Sequence, residues 1–356
     1  MKLVVNLKLV PTIEQHESLL LTLERANNAC NYASRVAWEH QTFGQFKLHK
    51  LAYRDIREQF SLSAQVTVRC IAKVADAYKL DRRAKRTFKP HGSIAYDDRI
   101  LRYLKDDRVS IWTIWGRQTI SYASCQRQRE LLVYRKGETD LVYQDGTFYL
   151  NAIVDLEESS LLETEDVLGI DLGIVNILAD SDGETYSGGQ VNGLRKRHSR
   201  LRARLQKKGT PSAKRLLRKR RRKESRFARN INHVISKQVV LKAQHTNRAI
   251  ALEDLQGIRS RVRVRKSQQR QHHSWAFYQL RNFIQYKARL AGVPVVLVDP
   301  RNTSRTCPAC GCVDKANRVS QSRFSCVQCG FAGPADTIAA ENIRRAAVNR
   351  PDVAAA

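Results

Sequence analysis

Two Cys-x-x-Cys pairs lie close together late in the sequence, and they restrict their stretch of chain more tightly than any other feature. Cys307-Pro308-Ala309-Cys310-Gly311 and Cys326-Val327-Gln328-Cys329-Gly330 are separated by 15 residues. Each pair can present two thiolates across one tight turn, and two such turns supply the four tetrahedral ligands that Zn²⁺ prefers. The glycine after each second cysteine suits a turn that needs positive φ. A redox pair would need one motif, not two. With Cys307, Cys310, Cys326 and Cys329 all serving as ligands, no position is left for water. The sequence therefore predicts a structural zinc ribbon over 303–332 that folds around its metal. Cys312 is offset from both pairs and reads as a bystander. Cys30, Cys70 and Cys125 stand singly in apolar or mixed segments and read as small core side chains.

Thiols grouped for metal rather than for disulfides suit a reducing compartment. The start of the chain has no apolar run long enough for a signal peptide or membrane span, since Asn6 and Lys8 interrupt it. The expectation is a cytoplasmic protein without membrane association.

Charge is the other global signal. Sixty-three Lys and Arg against 34 Asp and Glu give a formal net charge of +29. Self-repulsion on that scale calls for a polyanion, and nucleic acid is the usual one, ahead of anionic lipid. The excess is also concentrated: between Arg195 and Arg229, 18 of 35 residues are Lys or Arg and only Glu224 is acidic. Leu194, Leu201 and Leu205 precede Gly209-Thr210-Pro211-Ser212, and Leu216 and Leu217 follow it. The pattern reads as two basic helices joined by a turn, an arm over 194–230. Its candidate nucleic-acid contacts are Arg195, Lys196, Arg197, Arg218, Lys219, Arg220, Arg221, Arg222 and Lys223. Such contacts to phosphate are independent of sequence and sensitive to salt. A nuclear-localisation reading of Arg218 to Lys223 is secondary. A further cluster, Arg259, Arg261, Arg263, Arg265 and Lys266, could track a DNA strand.

Patterning divides the chain. Lys2 to Val10 reads as a strand closed by Pro11. Thr12 with Gln15 makes a capping box for a helix whose Leu19, Leu20, Leu23, Ala26, Cys30, Ala33 and Ala37 recur at helical spacing. A second helical pattern runs over 63–80, so 12–85 is expected to be helical. From 94 to 156 the texture becomes β: Val109 to Ile114 alternates, and Leu131 to Tyr134, Leu141 to Tyr143 and Phe148 to Val154 are short runs with turns at Lys136-Gly137 and Asp145-Gly146. From 166 onward the pattern is mixed α/β. Strands are expected at Val167 to Leu172, Ile174 to Ala179, Thr185-Tyr186, Ala249 to Glu253 and Val295 to Val298. A helix is expected over 275–291 and a last one from Ala339 to Ala347.

Three carboxylates stand out in that last part. Asp171 is embedded in the apolar strand Gly169-Ile170-Asp171-Leu172-Gly173, where an ionised group is costly unless paired or bound to a cation. Glu253 ends another apolar strand, and Asp336 opens the last helix. Singly each has a plain alternative: Asp171 a turn or edge residue, Glu253 a solvated strand end with Asp254 as competitor, Asp336 an N-cap. Together, two strand ends and a helix start can converge at one sheet edge. Three converging carboxylates would repel one another without divalent cations, and Mg²⁺ favours a few carboxylates plus phosphate oxygens and water. Two such ions suit phosphodiester hydrolysis. No Walker A or GxSxG motif competes. His272 and His273 are adjacent and face different ways.

These segments resemble a known family. Gly169-Ile170-Asp171-Leu172-Gly173, Leu252-Glu253-Asp254-Leu255 and Asp336-Thr337-Ile338-Ala339-Ala340-Glu341-Asn342-Ile343 resemble the three RuvC segments of TnpB proteins, transposon-encoded relatives of the type V CRISPR effectors. Trp275 to Leu280, Tyr286-Lys287-Ala288 and Pro300 to Ser304 lead into the cysteines as they do in that family. The resemblance implies a multidomain α/β fold: an RNase H-like (RuvC) nuclease domain over 165–302 and 333–350 with the zinc ribbon inserted, a β-barrel-like wedge domain over 1–11 and 86–160, and a helical recognition domain over 12–85. It implies that Asp171, Glu253 and Asp336 ligate catalytic Mg²⁺. It further implies a guide RNA and cleavage of double-stranded target DNA beside a short adjacent motif. One position departs from the family pattern: Ile338 stands where the third segment usually carries Asn, while Asn342 is retained. The alternatives are a nuclease-inactive, RNA-guided transcriptional regulator, for which Ile338 would be the lesion, and a transposase that also joins strands.

Overall fold

Alternation sets the first strand. In β1 (Lys2–Val10) Val5, Leu7 and Leu9 are buried while Val4 and Val10 face out, as a half-buried strand requires. Thr12 then caps α1 (Ile13–Glu39): its hydroxyl accepts the Gln15 N–H at 3.2 Å and its own N–H donates to the Gln15 side chain at 3.1 Å. The computed structural model describes residues 1–220, 222–254 and 277–349. Its chain forms two units that divide between Glu157 and Glu158.

In the first unit α1 is followed by α2 (Gln45–Phe60), α3 (Ala64–Leu80), β2 (Ile94–Tyr96), β3 (Leu101–Leu104), β4 (Arg108–Thr113), β5 (Gly116–Ala123), α4 (Gln126–Leu132), β6 (Arg135–Gln144) and β7 (Thr147–Asp155). The seven strands make one antiparallel sheet in the order β2-β6-β7-β1-β5-β4-β3. Its two edge strands follow each other in sequence, so the sheet curls until it is nearly closed. The Tyr96 hydroxyl donates to the Trp112 carbonyl at 3.3 Å, and Tyr103 reaches Thr139 at 3.4 Å. The stripe Leu19, Leu23, Ala26, Cys30 and Ala33 of α1 shares one core with Leu7, Ile111, Leu141 and Phe148 of the sheet. Asp145 (φ 50°) and Gly146 (φ 83°) form the tight β6–β7 turn, in the all-positive geometry that matches strand twist.

Four expectations fail here and in the arm, and the first is Cys125, which is exposed where Cys30 and Cys70 are core side chains as expected. Leu131 to Tyr134 is the end of a helix and a turn, because Cys125 and Gln128 cap a helical start ahead of it. Lys136-Gly137 lies inside β6, where Gly137 (φ 82°) accompanies a bulge between Arg135 and Thr139. The arm contains the start of a third helix: α5 (Gly189–Lys208) ends at Gly209, α6 (Pro211–Arg220) follows, and Arg222 (φ 68°) turns the chain into α7 (Lys223–His245). A run of like charges at helical spacing repels itself, which favours a break there.

The second unit is built on a five-stranded sheet ordered β10-β9-β8-β11-β12. It comprises β8 (Asp166–Asp171), β9 (Asn176–Asp180), β10 (Thr185–Ser187), β11 (Arg248–Glu253) and β12 (Val295–Val298). β8, β11 and β12 run parallel, while β9 and β10 run antiparallel as a meander. Between their charged ends, β8 and β11 are apolar and buried, as the middles of strands covered on both faces must be. Leu168, Ile170, Ile250 and Leu252 pack with Ile235, Val239 and Val240 of α7 and with Leu280 and Ile284 of α8 (Phe277–Ala291). The opposite face carries Val167, Ala249 and Ala251 against Ile343 and Ala347 of α9 (Ala335–Val348). Thus the bulky side chains meet α7 and α8, and small ones meet α9.

Gly169 shows how close α9 lies to the sheet. A Cβ at this position would stand 2.0 Å from the Ala340 carbonyl oxygen and 2.7 Å from the Arg344 nitrogen. No side chain fits without moving the helix. Gly169→Ala should therefore cost about 3 kcal/mol or more, lowering the thermal midpoint by roughly 6–12 °C for a unit of this size. Gly193→Ala, where a Cβ would meet nothing within 4 Å, is the control and should leave the midpoint unchanged or raised. Equal midpoints for both variants, measured by circular dichroism, would show that α9 does not press on Gly169.

Candidate active site and metal centre

Parallel pairing of β8 with β11 matches Leu252 to Ile170, so the next residue of each strand, Glu253 and Asp171, emerges at the same sheet edge. α9 begins over that edge. Its N-cap position is Pro334, which makes no side-chain cap bond, and Asp336 lies in the first turn rather than at the cap. The helix starts at Ala335, four residues ahead of the expected Ala339, because Asp336 and Thr337 already belong to the turn. Asp336 thereby sits where the positive end of the helix dipole favours an anion.

Asp171 senses both of the other carboxylates. Burial, then repulsion from Glu253 and Asp336, pushes the Asp171 carboxyl up to about 7, against the opposing pull of Arg318 and the Leu172 N–H. Burial likewise raises Glu253, opposed by the Thr303 hydroxyl and Arg318. Asp254 does not compete for the site, since it pairs with buried Arg281 of α8 at 2.8 Å. The plain readings of Asp171 and Asp336 as turn and cap residues therefore do not fit the backbone they occupy.

Four further side chains hold this edge; of these the sequence had marked Asn342, as a retained motif amide, and Thr303 only as part of the run Pro300 to Ser304. The Thr303 hydroxyl donates to Glu253 Oε1 at 2.5 Å. Buried Asn342 fixes the loop that carries Thr303, donating to the carbonyls of Thr303 at 2.8 Å and Thr306 at 2.7 Å. Asn176, the first residue of β9, donates its amide to Asp336 Oδ2 at 2.9 Å. Arg318 reaches Asp336 Oδ1 at 3.3 Å. Asn342 had a visible signal, an amide retained at a motif position. The other three are ordinary polar residues in loops or at a strand start, and only the fold brings them here.

Ile338, the departure from the family pattern, is 5% exposed and packs with Cys307, Phe324, Cys326 and Ala335. It faces the core of the cysteine segment, while the amide that reaches Asp336 comes from Asn176.

The four cysteines form the other centre. Cys307 and Cys329 approach to 3.6 Å, as do Cys310 and Cys326, and all four ligand atoms lie within 4.8 Å of one another. Among the described residues this is the one group of three or more His, Cys, Asp or Glu so tightly gathered; the three carboxylates are not gathered in this way. Gly311 and Gly330 both take φ 75°, and their N–H groups close the knuckles on the carbonyls of Cys307 and Cys326. The Cys329 and Gln328 amides draw the Cys326 thiol down to about 6, while its neighbours hold Cys310 and Cys329 above the usual thiol range, so Cys326 is the thiol that ionises first. β13 (Arg323–Ser325) and β14 (Ala332–Pro334) form a short hairpin through this segment. Cys312 stays outside the group of four.

In the basic arm Lys196, Arg197, Arg218, Lys219, Arg222 and Lys223 are exposed, whereas Arg195 and Arg220 are half-buried. Arg195 lies 3.6 Å from Glu224, so it packs the arm together rather than reaching outward. Arg221, Arg259, Arg261, Arg263, Arg265, Lys266, His272, His273 and Trp275 lie outside the described residues. Among the described residues no helix is long and apolar enough to cross a membrane.

Comparison with known proteins adds two family matches. Residues 152–259 match the OrfB_IS605 family, described as "Probable transposase", and residues 277–343 match the family described as "Cas12f1-like, TNB domain". A CRISPR-associated endodeoxyribonuclease Cas12f1 of Sulfoacidibacillus thermotolerans is 29% identical over 230 residues, 59% of this chain and 53% of that protein. A TnpB-like protein of Methanocaldococcus jannaschii is 29% identical over 222 residues, 56% of this chain and 79% of that protein. The alignment with Cas12f1 thus takes in about half of that relative's length. A chain in the cryo-EM structure of a Cas12f1–sgRNA–target DNA complex shares the fold, with a TM-score of 0.61 and 15% identity over 94% of this chain and 83% of that one.

The thiol cluster makes its own prediction. Cys326→Ser should reduce bound metal from about one ion per chain to a small fraction of that and lower the soluble yield, as expected where metal binding and folding are one event. Full stoichiometry in the variant, measured by elemental analysis, would remove these cysteines from the site.

Proposed function

We propose that this chain, which belongs to the TnpB family with its Cas12f relatives, is an RNA-guided endonuclease that hydrolyses phosphodiester bonds in DNA at Asp171, Glu253 and Asp336. The observation that carries this reading is the convergence of three carboxylates from β8, β11 and α9 at one sheet edge, where burial, with repulsion from Glu253 and Asp336 added to it, raises Asp171 to about 7. On this reading the second unit is a RuvC-like nuclease, residues 303–332 are its zinc ribbon, and residues 1–160 hold the helical and β segments that recognise nucleic acid. The guide is RNA and the target is double-stranded DNA beside a short motif.

The donor set fits Mg²⁺. Three oxygen ligands whose negative charge Arg318 offsets only in part, open to further oxygens from phosphate and water, are what that ion accepts. Asp171, Glu253 and Asp336 would hold it, and bound there it supplies Lewis-acid stabilisation of the charge that develops on phosphate oxygens. The four thiols fit Zn²⁺ in the same sense, with no position left for substrate.

The remaining side chains have separate tasks. Thr303 orients Glu253 through one short hydrogen bond, leaving its second oxygen for the cation. Asn176 fixes one Asp336 oxygen and Arg318 meets the other. A guanidinium there can also bind a phosphate oxygen bidentately, so Arg318 is suited to trade its carboxylate for the scissile phosphate. Asn342 keeps the Thr303 loop in register with α9. Ile338 does not argue for an inactive regulator, because its side chain seats the cysteine segment and the amide it replaces has a counterpart in Asn176.

Two measurements test this. Protein purified with RNA transcribed from its own locus should cut matched DNA in Mg²⁺, and Asp171→Ala or Glu253→Gln should abolish cutting while target binding persists. Cleavage that survives both substitutions would end the assignment. Thr303→Val should slow cleavage by about 10- to 100-fold, the usual cost of losing a partner that orients a metal ligand, and raise the Mg²⁺ concentration needed for half-maximal rate. A normal Mg²⁺ requirement in that variant would show that the Thr303 contact does not orient Glu253.

A further inference from the structure

The basic arm contains a cavity as well as charge. α5, α6 and the start of α7 border a half-open space of about 460 Å³. That volume falls in the range of small-ligand sites, about 300–1,000 Å³. On α5 it is lined by His198, Leu201, Arg202, Leu205 and Gln206, spaced as one helix face, and on α6 by Leu217 and Arg218. Leu205 is buried and helps hold the arm together, but Leu201 and Leu217 are only half-buried. Apolar walls are thus open to the outside inside the most highly charged stretch of the sequence.

A grip on duplex backbone needs the arginines and has no use for the leucines. A ligand that fits both has an apolar face joined to a phosphate. We propose that this cavity receives the base of an unpaired nucleotide, with Leu201 and Leu217 against the ring, His198 able to stack on it, and Arg218 and Arg222 meeting its phosphates. Glu224 supports the assignment. It is the one acidic residue of the arm, lies in the lining, and faces Arg195 at 3.6 Å and Arg202 at 3.1 Å. Those guanidiniums offset its charge, so it repels phosphate weakly and retains lone pairs for a base amino group. The arm then recognises single-stranded nucleic acid by its bases as well as by its charge.

The proposal concerns binding and holds or fails whether or not the chain cuts DNA. The full chain is titrated with fluorescent single strands of about twelve nucleotides, within the footprint of single-strand-binding modules, and with fully abasic strands of equal length and charge. Base-bearing strands should bind about 10-fold tighter, since stacking one base on protein contributes enough for a change of that size. Leu217→Ser should erase most of that difference with an unchanged salt dependence, and Leu217→Met, which keeps the contact, should preserve it. Leu217 is partly exposed, and circular dichroism of each variant verifies that the arm still folds. Ribose and deoxyribose versions identify the source: preference for the first points to the guide, and for the second to a displaced DNA strand. Equal affinity for base-bearing and abasic strands would overturn the proposal, as would a base-dependent difference that Leu217→Ser leaves intact.

Discussion

Contact of α9 with the sheet over Gly169 is the constraint on which the second unit depends. Gly169, Ala249 and Ala251 keep the facing strand surface shallow, and a Cβ at Gly169 would meet helix backbone at 2.0 Å. Because the helix can come so near, its first turn reaches the edge where β8 and β11 end. The geometry of the carboxylates is therefore set by what is missing from residue 169. Bulk on the other face, from Leu168, Ile170, Ile250 and Leu252 against α7 and α8, supplies the hydrophobic stabilisation that lets one face be so thin.

That arrangement explains how unevenly the sequence can be read. Apolar runs announced β8, β11 and β12, and the capping box at Thr12 announced α1, because these signals are local. The carboxylates stood out only as a set, since each alone had a plain reading as a turn, strand-end or cap residue. Leu131 to Tyr134 misled because a β-branched and aromatic run has no period long enough to tell strand from helix end. Lys136-Gly137 misled because a glycine with positive φ serves a bulge as well as a turn. Asn176 and Arg318 carry no local signal at all, and Thr303 is marked only by its place in the run Pro300 to Ser304. Each is polar, sits in a loop or at an element's first residue, and gains meaning only from a partner far along the chain.

The cysteine segment and the carboxylate edge share a helix. Ile338 is buried in the core of Cys307, Phe324 and Cys326, two residues beyond Asp336. Arg345 of α9 also donates to the Pro308 carbonyl, and Asn342 holds the loop leading into the cysteines. The position at 338 is better understood as a seat for that core than as a lost polar group. Substituting an amide would bury it among apolar neighbours and thiols, with a desolvation penalty unless it found a partner.

The order of the strands and helices also has a temporal meaning. Asn176 and Asp336, which hydrogen-bond directly, stand 160 residues apart in sequence. β8 can emerge from a ribosome, and β11 can pair with it, long before α9 exists. Until that helix is made, Asp171 and Glu253 face an edge without their third carboxylate, and Gly169 has nothing lying over it. A nascent chain can thus gather its sheet and its basic arm first and bring its three carboxylates together last, when α9 closes over Gly169.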